Sequence, residues 1–586
     1  MKNELSQLLA AAVARLVADG VLPAGSTPDI RLDATRDKSH GDFATNLAML
    51  LAKPAGKAPR AVAEALVAAL PANAVVAKVE IAGPGFINFF LAQDSQFAAV
   101  RRILDNYEGF ARPDVGKGEK VLLEFVSANP TGPMHVGHGR GAAFGSALAN
   151  VLAATGHAVS TEYYINDYGR QTDILAVSLW LRYLENFGAP VRIPARAYPG
   201  AYVSECAHRL ADTFGERFRK HYADVVDGLP PDSEEDGDEA KKVKEAHLDA
   251  LIERTKSMLG ADYRVLQQFG LDEQMRMIRT TLAGLNVRFD RFFSERELVE
   301  SGAVDRAMRR LRDAGHAYEK DGALWLRTTT HGDEKDRVLL RDDGSFTYFA
   351  SDVAYHLDKL ERGYDTLVDV WGADHHGYIA RVRSAIDYLS GKGDRFHVAL
   401  IQFVTLASGR MGKRSGNFVT LQDLVDEAGA DATRFFYLTR SSDQHLEFDI
   451  DLARSQSNEN PVYYLQYAHA RVRSMFRMLD ERGWQYDPAA GLATLAQLPE
   501  PAAADLARRL GQWPETLAGA ARNKTPHTIT HWLRELAQEF HSYYNSNKVL
   551  VEEAGARNAR LALSEAVRCV IADGLTLLGV SAPDSM

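Results

Sequence analysis

The sequence predicts an α/β protein: a central parallel-sheet domain, a small α/β unit ahead of it and an all-α helical bundle behind it. Three observations predict this. Short apolar runs at 121–126, 159–165, 366–371 and 398–404 read as strands separated by helical patterns, the alternation that builds a parallel sheet. The first run passes through a glycine-rich turn into a helix made of small residues, 136 to about 155, as in a phosphate-receiving α/β unit. Beyond 446–450 the pattern becomes almost wholly helical.

Taken in order, residues 1–110 read as the N-terminal α/β unit. Helical patterns cover about 3–19 and 59–70, and two strands, from Val79 and from Phe86 to Leu91, are split by Gly83-Pro84-Gly85. Phe110 to Glu119 is a Pro/Gly/Lys linker. The parallel-sheet domain is expected over 118–450, with a helix over 170–186 and an interruption of the sheet at about 188–345. Within that interruption, Leu229 to Lys242 places acids before lysines, which suits the dipole of a solvated surface helix. The helical bundle occupies 451–586, and no internal repeat is visible.

Composition narrows the class. The 586 residues suggest about three or four domains. No apolar run approaches the roughly 18 residues of a membrane span. The N-terminus reads as an amphipathic helix and not as a secretion signal. Cys206 and Cys569 lie far apart and outside any CxxC pattern, so reduced thiols, a cytoplasmic location and no structural zinc are expected. Net charge is −10, unpromising for a nucleic-acid binder, but residues 1–107 carry +1 and residues 461–586 carry zero. The acidic middle suits a cationic small substrate or solvated helix faces; the ends repel phosphate less.

The chemistry centres on His135-Val136-Gly137-His138, where the first strand turns into its helix. Two imidazoles at i and i+3 share one face of the first turn, and Gly137, Gly139 and Gly141 would let a ligand approach the backbone. Alone, such a pair is more often a metal pair or two surface histidines. A second element, Arg410-Met411-Gly412-Lys413-Arg414, outweighs that reading. The two resemble the HIGH and KMSKS signatures of class I aminoacyl-tRNA synthetases. The stretches around Glu124 to Gly132, Ile165 to Gln171, Trp371 to Gly377 and Tyr464 to Arg471 are similar to those of the arginyl-tRNA synthetases. The resemblance runs from Gly41 to Met586.

That resemblance implies a Rossmann-like catalytic domain, an N-terminal domain for the tRNA elbow and a helical anticodon-binding domain. It implies ATP as substrate with Mg2+, L-arginine, tRNA(Arg) as partner, a monomer, and arginine activation that requires tRNA. By position, His135, Gly137 and His138 would cradle ATP together with Arg410, Met411 and Lys413. Catalysis would fall to His135, His138 and Lys413, the last holding the leaving phosphates. Arg410 and Gly412 depart from the KMSKS pattern, since Arg is not Lys in geometry. Glu124 and Asn129 would meet the arginine ammonium and carboxylate, and Tyr348 and Asp352 its guanidinium. His375 stands where many relatives carry Gln. A carboxylate inside an apolar strand, such as Glu124, also demands a cationic partner, for which a structural arginine is the plain alternative. Asn166, Asp167 and Gln171 form a further motif without an assigned role. For RNA, Phe86 and Asn88 match the elbow-reading segment, Tyr464, Tyr467 and Arg471 the start of the anticodon domain, and Met586 the terminal residue near the anticodon. The plain alternatives are core aromatics and a turn Asn.

Rival readings lack their signatures. A zinc hydrolase wants HExxH, which is absent, and Asp374-His375-His376 at a strand end would point its rings apart. A cysteinyl synthetase wants zinc-binding cysteines. An inactive tRNA-binding paralogue should have lost His138 or Lys413, and an NAD oxidoreductase needs GxGxxG after the first strand.

Overall fold

In the computed structural model of the chain, the described residues are 2–26, 28–35, 37–407 and 419–586. The N-terminal unit is an antiparallel sheet of β1 (Asp33–Ala34), β2 (Phe43–Thr45), β3 (Val76–Ala82) and β4 (Phe86–Leu91), in the order β1-β2-β4-β3. Side chains alternate across a strand, so Ile87, Phe89 and Leu91 point inward. They pack on helices Lys2–Ala18, Leu47–Ala55 and Pro59–Ala69 through Leu5, Leu9, Leu51, Val62 and Leu66.

The central sheet has five parallel strands: β5 (Lys120–Glu124), β6 (Ala158–Ile165), β7 (Arg291–Ser294), β11 (Thr366–Gly372) and β12 (Phe396–Ile401), in the order β12-β11-β5-β6-β7. From β5 the chain builds outward through β6 and β7, then returns to the other side of β5 with β11 and β12. The order therefore reverses between β5 and β11, and a crevice opens at the carboxyl ends of those strands. Parallel strands bury both faces. On one face Val121, Leu123, Val368 and Val370 join a core that continues without a break into the C-terminal helices. On the other, Leu122 and Leu367 pack beneath helices Ala303–Asp313, Tyr348–Glu361 and Ile379–Ser390.

Between β7 and β11 stands a small antiparallel sheet of β8 (Ala317–Lys320), β9 (Ala323–Leu326) and β10 (Arg337–Leu340). A separate two-stranded parallel pair is made by β13 (Val404–Leu406) and β14 (Leu446–Phe448). Helices from Arg170 to Leu259 share their own core around Trp180, Tyr183, Leu210 and Leu251.

Four details depart from the sequence reading. The sheet is not suspended over the whole of 188–345, because β7 lies inside that stretch and forms its edge. The run 398–404 is two strands, because Arg140 draws the carbonyls of Gln402, Ser441 and Gln444 onto its guanidinium and turns the chain out after Ile401. The helix foreseen from Leu229 begins only at Asp238, since Pro230 and Pro231 deny a helix interior. The supposed linker opens on the end of a helix, Tyr107–Ala111; the helix ahead of it, Ala98–Asp105, packs against the last helix, Ala554–Leu577, and Arg112 clasps Asp573 at 2.6 and 2.9 Å.

Candidate functional site

The crevice begins with a strained turn. Directly after β5, Val126 and Ser127 have φ of 70° and 42°. A β-branched residue in that region is a genuine outlier, and each such residue costs about 1–3 kcal/mol. The surroundings hold the turn in place. Ser127 Oγ donates to Glu124 Oε1 at 2.9 Å and accepts from the Tyr164 N–H at 3.1 Å, while Asn166 Nδ2 donates to the Ser127 carbonyl at 3.2 Å. The turn delivers the chain to helix Val136–Ala154.

Two histidines cap that helix reciprocally. His135 Nδ1 accepts from the Gly137 N–H at 3.1 Å, and His138 Nδ1 accepts from the His135 N–H at 3.2 Å. The rings stack with centroids 3.7 Å apart. Because both Nδ1 atoms accept, a neutral ring carries its proton on Nε2. Burial lowers the His135 pKa; burial and then His135 push His138 down to about 3. Both rings are thus neutral near pH 7, and two Nε2–H donors stand at a helix N-terminus, where the dipole already favours an anion.

Gly137 yields its space to the His135 ring, since a Cβ there would lie 2.9 Å from Cε1. Gly139 does not serve ligand approach as expected. A Cβ would meet Leu421 Cδ1 at 2.5 Å and the Tyr437 ring at 2.8 Å, so this glycine lets two further helices close on the first. The expected Arg410, Met411 and Lys413 lie outside the described residues. The flanks of their segment are described. The Ala407 N–H bonds the Phe448 carbonyl at 3.0 Å, and Thr420 forms a β-bridge with His135 beside a Leu421 N–H to Met134 carbonyl bond of 2.8 Å. The described chain thus resumes beside the histidine cap.

Across the mouth of β5 lies an acidic pocket. Glu124 is nearly buried and meets a lysine instead of an arginine: Lys359 Nζ donates to its Oε2 at 2.6 Å. Asp352 is half-buried and hydrogen-bonded by the Tyr378 hydroxyl. Tyr348, expected beside the same carboxylate, is 77% exposed at the helix start, so the phenol that touches Asp352 is Tyr378. Burial raises Asp352 to about 6.

A third acid, Glu295, was not foreseen. It follows β7 directly and is buried, and burial, then Asp352 and Asp167, raise it to about 7. Asp167 steers that corner: its carboxylate accepts from Ser294 Oγ at 2.6 Å and from the Arg296 N–H at 2.9 Å. The apolar pair Phe292-Phe293 ahead of Glu295 was the available signal for a strand ending in a site residue. Asn129 is exposed and donates to Gln171 at 2.9 Å. His375 is exposed in a 3-10 turn, not at a strand end, and lies 3.1 Å from Asp374. Among the described residues no group of three or more His, Cys, Asp or Glu is placed to hold a metal ion, and no helix is long and apolar enough to cross a membrane.

The residues matched to RNA contact divide. Phe86 is 42% exposed at the start of β4. Asn88 is only 4% exposed, because it sits mid-sheet between Ala44 and Glu80, so its amide has almost no free edge to offer a base. Arg471 lies over the rings of Tyr467 and Tyr544, each at 4.5 Å, and donates to His541 at 2.8 Å. Tyr464 packs on His541, with centroids 4.4 Å apart. Met586 is half exposed and lines a cavity of about 680 Å³ with Tyr463, Gln466 and Arg454.

Comparison with known proteins agrees with this arrangement along the whole chain. Residues 99–208 and 262–444 match the catalytic-domain model of class I (R) tRNA synthetases. Residues 3–91 match the arginyl tRNA synthetase N terminal domain, and 465–586 the DALR anticodon binding domain. The chain is 52% identical to an arginine–tRNA ligase of Thioalkalivibrio sulfidiphilus and 50% identical to one of Hydrogenovibrio crunogenus, each over all of both chains. A Thermus thermophilus arginyl-tRNA synthetase structure superposes with a TM-score of 0.73 at 23% identity, covering 98% of this chain and 99% of that one, a likeness of fold.

Proposed function

The chain belongs to the arginyl-tRNA synthetase family, and from that premise we infer how its site carries out the ligation. It acts as an arginine–tRNA ligase with ATP as a substrate. In such a ligation the arginine carboxylate attacks the α-phosphorus of ATP, pyrophosphate leaves, and a ribose hydroxyl of the tRNA then takes the arginyl group from the adenylate. No protein nucleophile is needed; positioning and charge stabilisation supply the rate.

The observation that carries the reading is the pairing of two neutral Nε2–H donors with an acidic pocket on either side of one strand end. His135 and His138 donate to the phosphates, and Lys413, with Arg410 and Met411, closes on the leaving group. Glu124 meets the substrate ammonium, Asn129 its carboxylate, and Asp352 with Glu295 the guanidinium, whose planar fork suits two acceptors. Tyr348 and His375 line the mouth. Mg2+ would enter with ATP and help neutralise its phosphates.

Residues 1–110 engage the tRNA elbow, with Phe86 as a stacking surface, and 451–586 the anticodon, through Tyr464, Tyr467, Arg471 and Met586. The protein works as a cytoplasmic monomer. Its arginine activation waits for tRNA, whose binding completes the site, a form of induced fit. The test is pyrophosphate exchange with each of the twenty amino acids, with and without tRNA(Arg). Exchange is expected with arginine and tRNA together. Exchange with arginine alone would refute the tRNA requirement, and exchange with another amino acid would refute the pocket assignment.

A further inference from the structure

We propose that Lys359 is a positioning residue for arginine: its buried ammonium orients the Glu124 carboxylate toward the substrate. The proposal rests on the reading that Glu124 meets the substrate ammonium.

Lys359 has no exposed surface. It donates to Glu124 Oε2 at 2.6 Å and to Asp369 Oδ1 at 2.9 Å. Those two carboxylates are register partners on adjacent parallel strands, β5 and β11, at the switch point of the sheet. Register partners on parallel strands project from the same face, so without a cation between them they would repel. The opposing helix supplies that cation as part of a stripe. Asp352, His356 and Lys359 recur at i, i+4 and i+7 on helix Tyr348–Glu361, one face over two turns.

Each member of the stripe is tied. Asp352 takes the Tyr378 hydroxyl. His356 Nδ1 donates to the Asp352 carbonyl at 2.7 Å, and His356 Nε2 meets Asp369 Oδ2 at 3.0 Å. Lys359 closes the chain onto Glu124, whose other oxygen is held by Ser127. Glu124 is thereby gripped from the helix on one oxygen and from the strained turn on the other, which fixes the plane of its carboxylate. Burial works against the ammonium, yet Asp369 and Glu124 hold its pKa above the ordinary lysine value. A lysine so committed is not available to ATP or to a leaving group. It acts through Glu124, and through His356 and Asp369 it ties the guanidinium end of the pocket to the ammonium end.

The test measures arginine KM, ATP KM and kcat in tRNA charging, together with thermal unfolding, for Lys359→Met, Lys359→Met/Asp369→Asn and Glu124→Gln. Removing a hydrogen bond between charged groups is expected to raise arginine KM by about tenfold or more, with ATP KM within about twofold of the parent. The double variant removes one charge of each sign from the buried cluster. It should recover thermal stability and leave arginine KM raised. A parental arginine KM in the double variant, or in Lys359→Met, would overturn the proposal, as would failure of both Lys359 variants to fold, which would assign the lysine to the fold alone. If Glu124→Gln itself leaves arginine KM unchanged, the reading of Glu124 fails, and that result is separable from the others.

Discussion

Replacing Glu295 by Gln should make the empty protein more stable and its arginine binding weaker and less dependent on pH. Burial, then Asp352 and Asp167, raise Glu295 to about 7, and burial raises Asp352 to about 6. A raised carboxylate pKa means that the folded, empty pocket holds a proton that the unfolded chain releases. The associated stability is complete below the unfolded value and is lost as pH rises through the folded one. For Glu295 the rise from 4.5 to about 7 corresponds to about 3 kcal/mol at roughly 1.36 kcal/mol per unit, a cost present in full above pH 7. Glu295→Gln removes that cost, so thermal stability at pH 8 should rise. With the guanidinium seated on Asp352 and Glu295 as proposed, arginine needs both acids ionised. At pH 6 a group with a pKa of 7 is about nine-tenths protonated and one with a pKa of 6 half protonated, so arginine should bind about 20-fold more weakly than at pH 8. In Glu295→Gln only Asp352 remains to be deprotonated, and the same change of pH should cost about twofold. Titration calorimetry at pH 6, 7 and 8, in two buffers of different ionisation enthalpy, reads both affinity and protons released. A flat affinity across this range in the parent, or an unchanged pH slope in the variant, refutes the reasoning.

Two further outcomes follow from the same geometry. His138→Ala should slow arginine activation by about 2.7–4 kcal/mol, as for loss of one preorganised donor, while arginine binding hardly changes; single-turnover adenylate formation checks this, and a near-parental rate would remove His138 from the phosphate site. On the RNA side, Phe86→Ala should raise the tRNA KM, since base stacking contributes about 1–3 kcal/mol, whereas Asn88→Ala should act on the stability of the N-terminal sheet; charging at subsaturating tRNA beside thermal melts separates the two, and the reverse pattern would return the base contact to Asn88.

Much of the arrangement was legible because it is local. The turn after β5, the histidine pair and the first strands of the sheet lie within one contiguous stretch whose period and glycines announce them. What escaped is non-local. Glu295 follows a four-residue edge strand inside a long helical stretch, and only its pairing with β6 makes it part of the sheet. Lys359 looks like one more surface lysine of an amphipathic helix until Glu124 and Asp369 come into register beneath it. Tyr378 replaces Tyr348 at Asp352 for a similar reason. The i,i+4 spacing put Tyr348 on the right side of the helix, but Tyr348 is the first helical residue and its side chain is left exposed, so the hydroxyl bonded to Asp352 is that of Tyr378. Gly139 misled because a glycine needed for helix packing has the same appearance in sequence as one needed for a ligand. The demand that a buried Glu124 find a cation was sound physics; the identity of that cation required the fold.

The site must seat a cationic amino acid against a polyanionic nucleotide, and the arrangement separates these tasks across one strand end. On the pocket side the acids outnumber the local cation, and that cation, Lys359, is fully engaged by Glu124 and Asp369. On the phosphate side the fixed groups are neutral donors: burial keeps His138 uncharged at any pH near 7, so the cap offers hydrogen bonds and a helix dipole without an imidazolium that would repel arginine. In their proposed roles, Arg410 and Lys413 would supply the positive charge that this cap withholds from the leaving pyrophosphate. Thr420, just after the described chain resumes, is bridged to His135 in the histidine cap. A strained Val126-Ser127 turn is what lets one short strand end present an acid to one face of the crevice and a helix N-terminus to the other.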